Sequence, residues 1–340
     1  MKTEFITLNE ERNVTLTAYL QGAGGEFRYV TKRPAIIVIP GGAYQFCSER
    51  EADPVAMPYL KAGYQVFILR YSLGANAVWP NPLSDYDQAM ALIRERADEW
   101  NVYADKIAVI GFSAGGHLAS AAATMSKNRP NAAILGYAVL NNDVKGCLVT
   151  APSTVEAVDH TTCPCFIFSS RTDNLVPIEN AVEFMGALAK YGISFESHIY
   201  AYGPHGFSTG DTSIQPKDTK MSARIPHWVE DSIGWLKEVL GDFGPTGLTE
   251  PSCKARVNDD YDDKYTVDCT MACLMENEEV AKLLDDWMTK IEQSGNEYAK
   301  MASGKDNLVL KMKLRDMLNF LRMPEKAEEL NAQLAKIRKN

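Results

Sequence analysis

Ser113 has the most telling neighbours of any residue able to act as a nucleophile. It lies in Gly111-Phe-Ser-Ala-Gly115, after the apolar Ile107, Val109 and Ile110 and before the small-residue run from Leu118 to Ala123. A strand that reverses into a helix within so few residues needs a sharp turn. Gly111 and Gly115 have no Cβ, so the two elements can close around Ser113 and lift its Oγ above the strand end on a strained backbone. A serine hydroxyl is a poor nucleophile at neutral pH. It needs a base to take its proton, and the base needs an acid to orient it and stabilise its charge. Of the five histidines, His205 sits in Tyr202-Gly-Pro-His-Gly-Phe207, a turn placed after a strand pattern. His117, one turn into the helix after Ser113, is expected to point away and to pack or hydrogen-bond. Asp173, in Ser170-Arg-Thr-Asp-Asn-Leu-Val-Pro177, follows the strand pattern Cys165–Ser169 and can supply the acid; Asp143, one strand earlier, is its rival. The turn Pro40-Gly-Gly-Ala-Tyr44 can aim backbone N–H groups at a developing oxyanion, together with the N–H of Ala114. Such a set performs acyl transfer to water.

These groups need a sheet to bring them together. Phe5–Leu8 and Val14–Leu20 read as an opening antiparallel pair. The unbroken apolar runs Ala35–Ile39, Tyr64–Tyr71, Ile107–Ile110, Ala133–Leu140 and Cys165–Ser169 read as strands buried on both faces, with Ser194–Ala201 after them. Helical patterns at Asp53–Ala62, Leu83–Trp100, Asn180–Tyr191 and Pro226–Leu240 alternate with them. Strand–helix alternation of this spacing predicts an α/β domain: a mostly parallel sheet with helices on both faces. It occupies residues 1–242. Residues 243–264, rich in Gly, Pro and Asp, read as a linker ending in the acidic run Asn258–Asp263. Residues 265–340 carry helix patterns only, a small all-helical module. Val280, Leu283, Leu284, Trp287 and Ile291 form one stripe, and a second helix runs from Leu308 to Leu321. A third opens at Pro324 and closes on Lys336, Arg338 and Lys339, in the order that complements a helix dipole.

The 340 residues carry a formal charge of −9, with 46% hydrophobic and 23% charged residues. That balance excludes a nucleic-acid partner and an anionic membrane surface, and no apolar run approaches the roughly 20 residues that span a bilayer. The start, Met1-Lys-Thr-Glu-Phe, lacks the apolar segment of a secretory signal, and seven irregularly spaced cysteines do not suggest a disulfide framework. A cytoplasmic protein is expected. Cys253, Cys269 and Cys273 lie near the tail with no histidine beside them, so they read as buried thiols rather than a zinc site. No metal and no cofactor is expected.

On Ile36–Tyr44, Trp79–Asp85, Val109–Ala119, Thr172–Pro177 and Gly203–Phe207, the first 240 residues or so resemble the α/β-hydrolase superfamily, whose members carry the order Ser…Asp…His. More narrowly, they resemble its carbohydrate-esterase branch, the acetyl xylan esterase-like and xylanase-associated esterases. Pro40 and Ala43 stand where many lipases and esterases have His and Gly, and Ser170 replaces a frequent Gly. The resemblance implies the α/β-hydrolase fold, a Ser113–His205–Asp173 triad, oxyanion donors at Gly42, Ala43 and Ala114, and hydrolysis of short acyl esters of sugars, foremost acetyl. It gives a small-molecule or oligosaccharide ester as the partner. Tyr44 and Trp79 are candidates to stack on a sugar ring, or else core or rim residues. The tail is similar to helical modules appended to some clostridial carbohydrate-active enzymes, where it could form a homo-oligomer, cover the site or dock a partner. Two other functions remain to be separated: a prolyl-oligopeptidase-like serine peptidase, and a non-catalytic binding module.

Overall fold

The computed structural model describes residues 1–216, 218–293 and 307–339. Contacts divide the chain into two units, Met1–Ala255 and Arg256–Asn340. The division falls inside the stretch that reads as a linker. Part of that stretch is ordered as a short hairpin, with β9 (Phe243–Gly244) paired to β10 (Gly247–Leu248).

The first unit is built on an eight-stranded sheet ordered β1-β2-β4-β3-β5-β6-β7-β8. Its strands are β1 (Lys2–Asn9), β2 (Val14–Leu20), β3 (Arg33–Ile39), β4 (Gln65–Arg70), β5 (Val102–Phe112), β6 (Ala132–Gly136), β7 (Cys165–Ser170) and β8 (Phe195–Tyr200). β1 and β2 are antiparallel to their neighbours; β4, β3 and β5 to β8 run parallel. Side chains alternate across a strand, and the two cores follow that alternation. Ile37, Ile39, Val109 and Leu135 face α2 (Asn81–Glu95), α3 (Ser113–Thr124) and α4 (Glu179–Lys190). Ile36, Val38, Ile110 and Ile134 face α1 (Asp53–Lys61) and α5 (Trp228–Leu240). Burial on both sides explains why these strands read as continuous apolar runs.

Element ends differ from the sequence pattern where tertiary contacts intervene. The apolar run from Ala133 to Leu140 pairs only as far as Gly136, because Tyr137 takes φ 35° and turns the chain out of the sheet. The Val139 N–H then donates to the Ser113 carbonyl, 3.2 Å away.

The second unit holds α6 (Met271–Met275), α7 (Glu278–Gln293), α8 (Asn307–Lys311), α9 (Leu314–Phe320) and α10 (Ala327–Leu334). It has its own core, in which Val267, Leu274, Val280, Leu314, Leu318 and Leu330 are buried. The single helix expected from Leu308 to Leu321 is two. It breaks at Met312 and Lys313 because the Met312 carbonyl accepts from Met271 N–H and the Leu314 N–H donates to the Cys269 carbonyl. The third helix ends at Leu334, so Lys336, Arg338 and Lys339 lie beyond it rather than in its last turn. Among the described residues no helix is long and apolar enough to cross a membrane.

Candidate active site

Four of the parallel strands end at the same edge of the sheet, and each delivers one part of the site. The end of β5 delivers Ser113, at φ 52°, a left-handed backbone conformation that non-glycine residues seldom adopt. Close packing holds it there. A Cβ built on Gly115 would lie 2.3 Å from the Ile39 carbonyl oxygen, and one on Gly111 would lie 2.2 Å from that of Gly115. Only glycine fits at either flank, which is why the pattern Gly-x-Ser-x-Gly is legible at all.

The loop after β8 brings His205 over the serine, and the Ser113 hydroxyl lies 2.8 Å from His205 Nε2. The loop after β7 brings Asp173, whose Oδ2 accepts from Nδ1–H at 2.8 Å. A carboxylate in this setting accepts only, so the proton sits on Nδ1 and the Nε2 lone pair faces the hydroxyl. The other carboxylate oxygen of Asp173 accepts from Leu175 N–H and Val176 N–H, 2.8 and 2.9 Å away. The Asp173 side chain is only 1% exposed, so its attraction for the ring is weakly screened. Asp143, the rival acid, instead accepts from Asn180 Nδ2 at 2.8 Å. Ser170, in place of the frequent glycine, donates its hydroxyl to the Gly203 carbonyl (2.9 Å) and so ties the acid loop to the histidine loop.

The turn after β3 supplies backbone donors. The Gly41 N–H is already taken, donating to Glu51 Oε2 at 2.7 Å. The N–H groups of Gly42 and Ala43 meet no acceptor among the described residues, and both residues line the cavity that contains Ser113. Gly42 takes φ 134°, and a Cβ on it would lie 2.0 Å from the Phe46 carbonyl oxygen. Ala114, buried in the first turn of α3, offers an N–H from the open end of that helix.

Two residues that sequence reasoning did not single out join these loops. Glu51, 3% exposed, accepts from Gly41 N–H and from the Tyr137 hydroxyl, 2.6 Å away. The Tyr137 oxygen in turn accepts from Ser208 N–H at 3.0 Å, and the Tyr137 ring stands edge-on to His205, centroids 5.0 Å apart. Burial pushes the Glu51 carboxyl above its ordinary range, against the pull of the Tyr137 and Gly41 hydrogen bonds. In the sequence Glu51 belongs to Ser48-Glu-Arg-Glu-Ala-Asp53, which reads as a solvated charged turn. No local signal distinguishes it.

The cavity over Ser113 has a volume of about 550 Å³ and an apolar lip formed by Phe46 and Leu175, 59% and 70% exposed. A volume of this order suits a small ligand. Cys47 also lines it, but burial pushes its thiol up to about 11, so it is not a competing thiolate. A larger groove of about 870 Å³ between α1 and α5 contains no hydrogen-bonded nucleophile and base among the described residues.

Tyr44 is not available to a sugar. It is fully buried, and its hydroxyl donates to His117 Nδ1 at 2.7 Å, while His117 Nε2–H donates to the Pro152 carbonyl at 2.8 Å. Trp79 is half-buried and packs edge-on against the His117 ring, centroids 5.4 Å apart, outside the lining of the Ser113 cavity. Both aromatic candidates thus support the helix that carries the serine. His117 itself is held well below the ordinary histidine range, at about 4, by burial.

The family model BD-FAE matches residues 28–148. An α/β-hydrolase enzyme from a Medee basin deep-sea metagenome library is 41% identical, with a TM-score of 0.67 over 71% of this chain and 98% of its own. The chain belongs to the α/β-hydrolase family. Another similar solved structure is that of an acetyl ester-xyloside bifunctional hydrolase from Caldicellulosiruptor lactoaceticus. It is 26% identical, with a TM-score of 0.60 over 69% of this chain and 95% of its own. An acetylxylan esterase from Xylanibacter ruminicola is 33% identical over 230 residues, which is 60% of this chain and 45% of that protein. The chain spans less than half the length of the first curated relatives it matches.

Proposed function

We propose that the first unit is a serine carboxylic-ester hydrolase acting on short acyl esters of sugars, foremost acetyl groups on xylan-derived oligosaccharides. The observation that carries this reading is the continuous relay from the Ser113 hydroxyl through His205 to Asp173, with a hydrogen bond of 2.8 Å on each side of the imidazole. As Ser113 Oγ attacks the ester carbonyl, Nε2 takes its proton. The imidazolium so formed faces the buried carboxylate of Asp173, which stabilises it without itself becoming protonated. The negative charge developing on the carbonyl oxygen falls towards the N–H groups of Gly42, Ala43 and Ala114, each worth about 3 kcal/mol of transition-state stabilisation. His205 then returns the proton to the sugar oxygen as it leaves. Water, activated by the same ring, releases the acyl group from Ser113. No step calls on a cofactor.

The substrate class rests on the similarity to an acetylxylan esterase and to an acetyl ester-xyloside hydrolase. The cavity's apolar lip and volume of about 550 Å³ are consistent with a short acyl group. The test is acetate release from acetylated xylo-oligosaccharides, assayed beside a proline-containing chromogenic peptide. The expected result is acetate release that falls by roughly a thousandfold or more in Ser113→Ala, with the peptide left intact. Cleavage of the peptide in preference to the ester, or undiminished acetate release by the variant, overturns the assignment.

A further inference from the structure

The second unit holds a side-chain cluster that is not among the residues of the candidate active site. Asp260, Cys269 and Cys273 each offer one donor atom, and all three donors lie within 4.8 Å of one another. We propose that Asp260, Cys269 and Cys273 form a binding site for one divalent cation of the zinc class. The sequence alone pointed elsewhere, because three cysteines without a histidine lacked a fourth ligand. The structure leaves Cys253 in the other unit and supplies a carboxylate instead.

Three observations support a metal over a plain pair of thiols. The first is donor chemistry. Two thiolates and one carboxylate suit a zinc-class ion, whereas calcium and magnesium take oxygen ligands only. Tetrahedral coordination at Zn–S about 2.3 Å and Zn–O about 2.1 Å puts donors roughly 3.5–3.8 Å apart. Donors within 4.8 Å of one another are near that spacing, and a water would complete the fourth position.

The second is the support behind the donors. The Asp260 carboxylate is held on both oxygens, by Thr270 N–H at 2.6 Å and by the Thr270 hydroxyl at 2.9 Å. Each oxygen retains a lone pair for a metal. Cys269 Sγ accepts from Thr266 N–H at 3.4 Å, the kind of outer contact that fixes a ligating sulfur. The Cys269 and Cys273 thiols also face the carbonyl oxygens of Asp259 and Asp260, at 3.4 and 3.7 Å.

The third is charge. Two thiolates, a carboxylate and a dication sum to −1. The Lys339 ammonium stands 3.9 Å from Cys269 Sγ, anchored by the Asp259 carbonyl at 3.1 Å, and brings the cluster to neutrality. Binding therefore displaces two thiol protons into solvent and ligand water from the ion, with no redox step.

The test uses the full chain, reduced and freed of metal, titrated with Co²⁺ as a spectroscopic probe. The expected result is saturation at one ion per chain with a thiolate-to-cobalt charge-transfer band, displaced by Zn²⁺. Replacing both thiols (Cys269→Ser with Cys273→Ser) abolishes the band, Cys273→Ser alone at least halves it, Asp260→Asn weakens Co²⁺ binding at least tenfold, and Cys47→Ser leaves band and binding unchanged. A parallel measurement on the unaltered protein needs no variant: Zn²⁺ should slow alkylation of Cys273 at least tenfold, read by peptide mass, while leaving Cys253 unaffected. A missing charge-transfer band, a band left undiminished by Cys273→Ser or retained when both cysteines are replaced, or alkylation of Cys273 indifferent to Zn²⁺ overturns the proposal. Hydrolysis of esters enters none of these readouts.

Discussion

In the proposed relay His205 acts as a base only while the loops on either side of it keep their positions, and Glu51 bonds to both sides of that arrangement. Its carboxylate joins the Gly41 N–H to the Tyr137 hydroxyl, which in turn holds the Ser208 N–H three residues beyond His205. An amide at this position accepts with one oxygen only and turns its NH₂ group towards a donor. Glu51→Gln is therefore expected to lower kcat about tenfold or more, because misplacement by a fraction of an ångström is costly in an oriented site. KM should change less than kcat, since both Glu51 oxygens are already taken by the Gly41 N–H and the Tyr137 hydroxyl. Steady-state kinetics on an acetyl ester checks this; an unchanged kcat means that the turn holds without the carboxylate. The contrast with Ser113 explains what could be read from the sequence at this scale. Ser113 is flanked by glycines that local geometry demands, so its turn is written in five consecutive residues. Glu51 and Tyr137 are 86 residues apart and become partners only when the sheet forms. Tyr44 misled for the same reason: an aromatic beside the oxyanion turn could have faced solvent, and packing against His117 decided otherwise.

The helix that begins at Ser113 is fixed to the neighbouring loops through His117. Its ring is buried, accepts from Tyr44 and donates to Pro152, so it is held neutral. The sign of the resulting pH dependence follows from its depressed value of about 4 against an ordinary 6.5. Between those values the unfolded chain binds a proton that the folded chain refuses, so stability is full above about pH 6.5 and falls as the pH drops towards 4. From pH 7 to pH 5 this one group should cost about 2 kcal/mol. Urea unfolding at both values is expected to show that loss in the parent protein and a loss smaller by about that amount in His117→Gln. Equal losses in both would remove the buried histidine from the account. Elements as such were largely legible, because β3 to β7 are covered on both faces and leave unbroken apolar runs. Their ends were not. The turn at Tyr137 and the break between α8 and α9 are set by backbone partners distant in sequence, Ser113 through Val139 in one case and Cys269 and Met271 in the other.

At the scale of the whole molecule, every residue of the candidate active site lies in Met1–Ala255, and each unit has a core of its own. The metagenomic α/β hydrolase matches about seven tenths of this chain and covers 98% of its own length, so a protein the size of the first unit stands alone elsewhere. The chain ending at Ala255 is accordingly expected to fold and to keep kcat/KM for an acetyl ester within about threefold of the full chain. Circular dichroism and steady-state kinetics check this; a folded fragment with activity reduced more than tenfold would assign the helical unit a direct part in hydrolysis. The boundary was approachable from composition, since Gly, Pro and Asp thin out the apolar pattern near residue 243. Its position at 255 was not, because the hairpin of β9 and β10 and the bonds from Ser194 to Lys254 and Ala255 draw the chain back onto the first unit.

The most direct measurement is the site of modification by a fluorophosphonate, mapped by peptide mass and followed alongside ester hydrolysis. One adduct per chain is expected, on Ser113, appearing at the rate at which activity disappears. An adduct on any other residue, or hydrolysis that persists after Ser113 is fully modified, contradicts it.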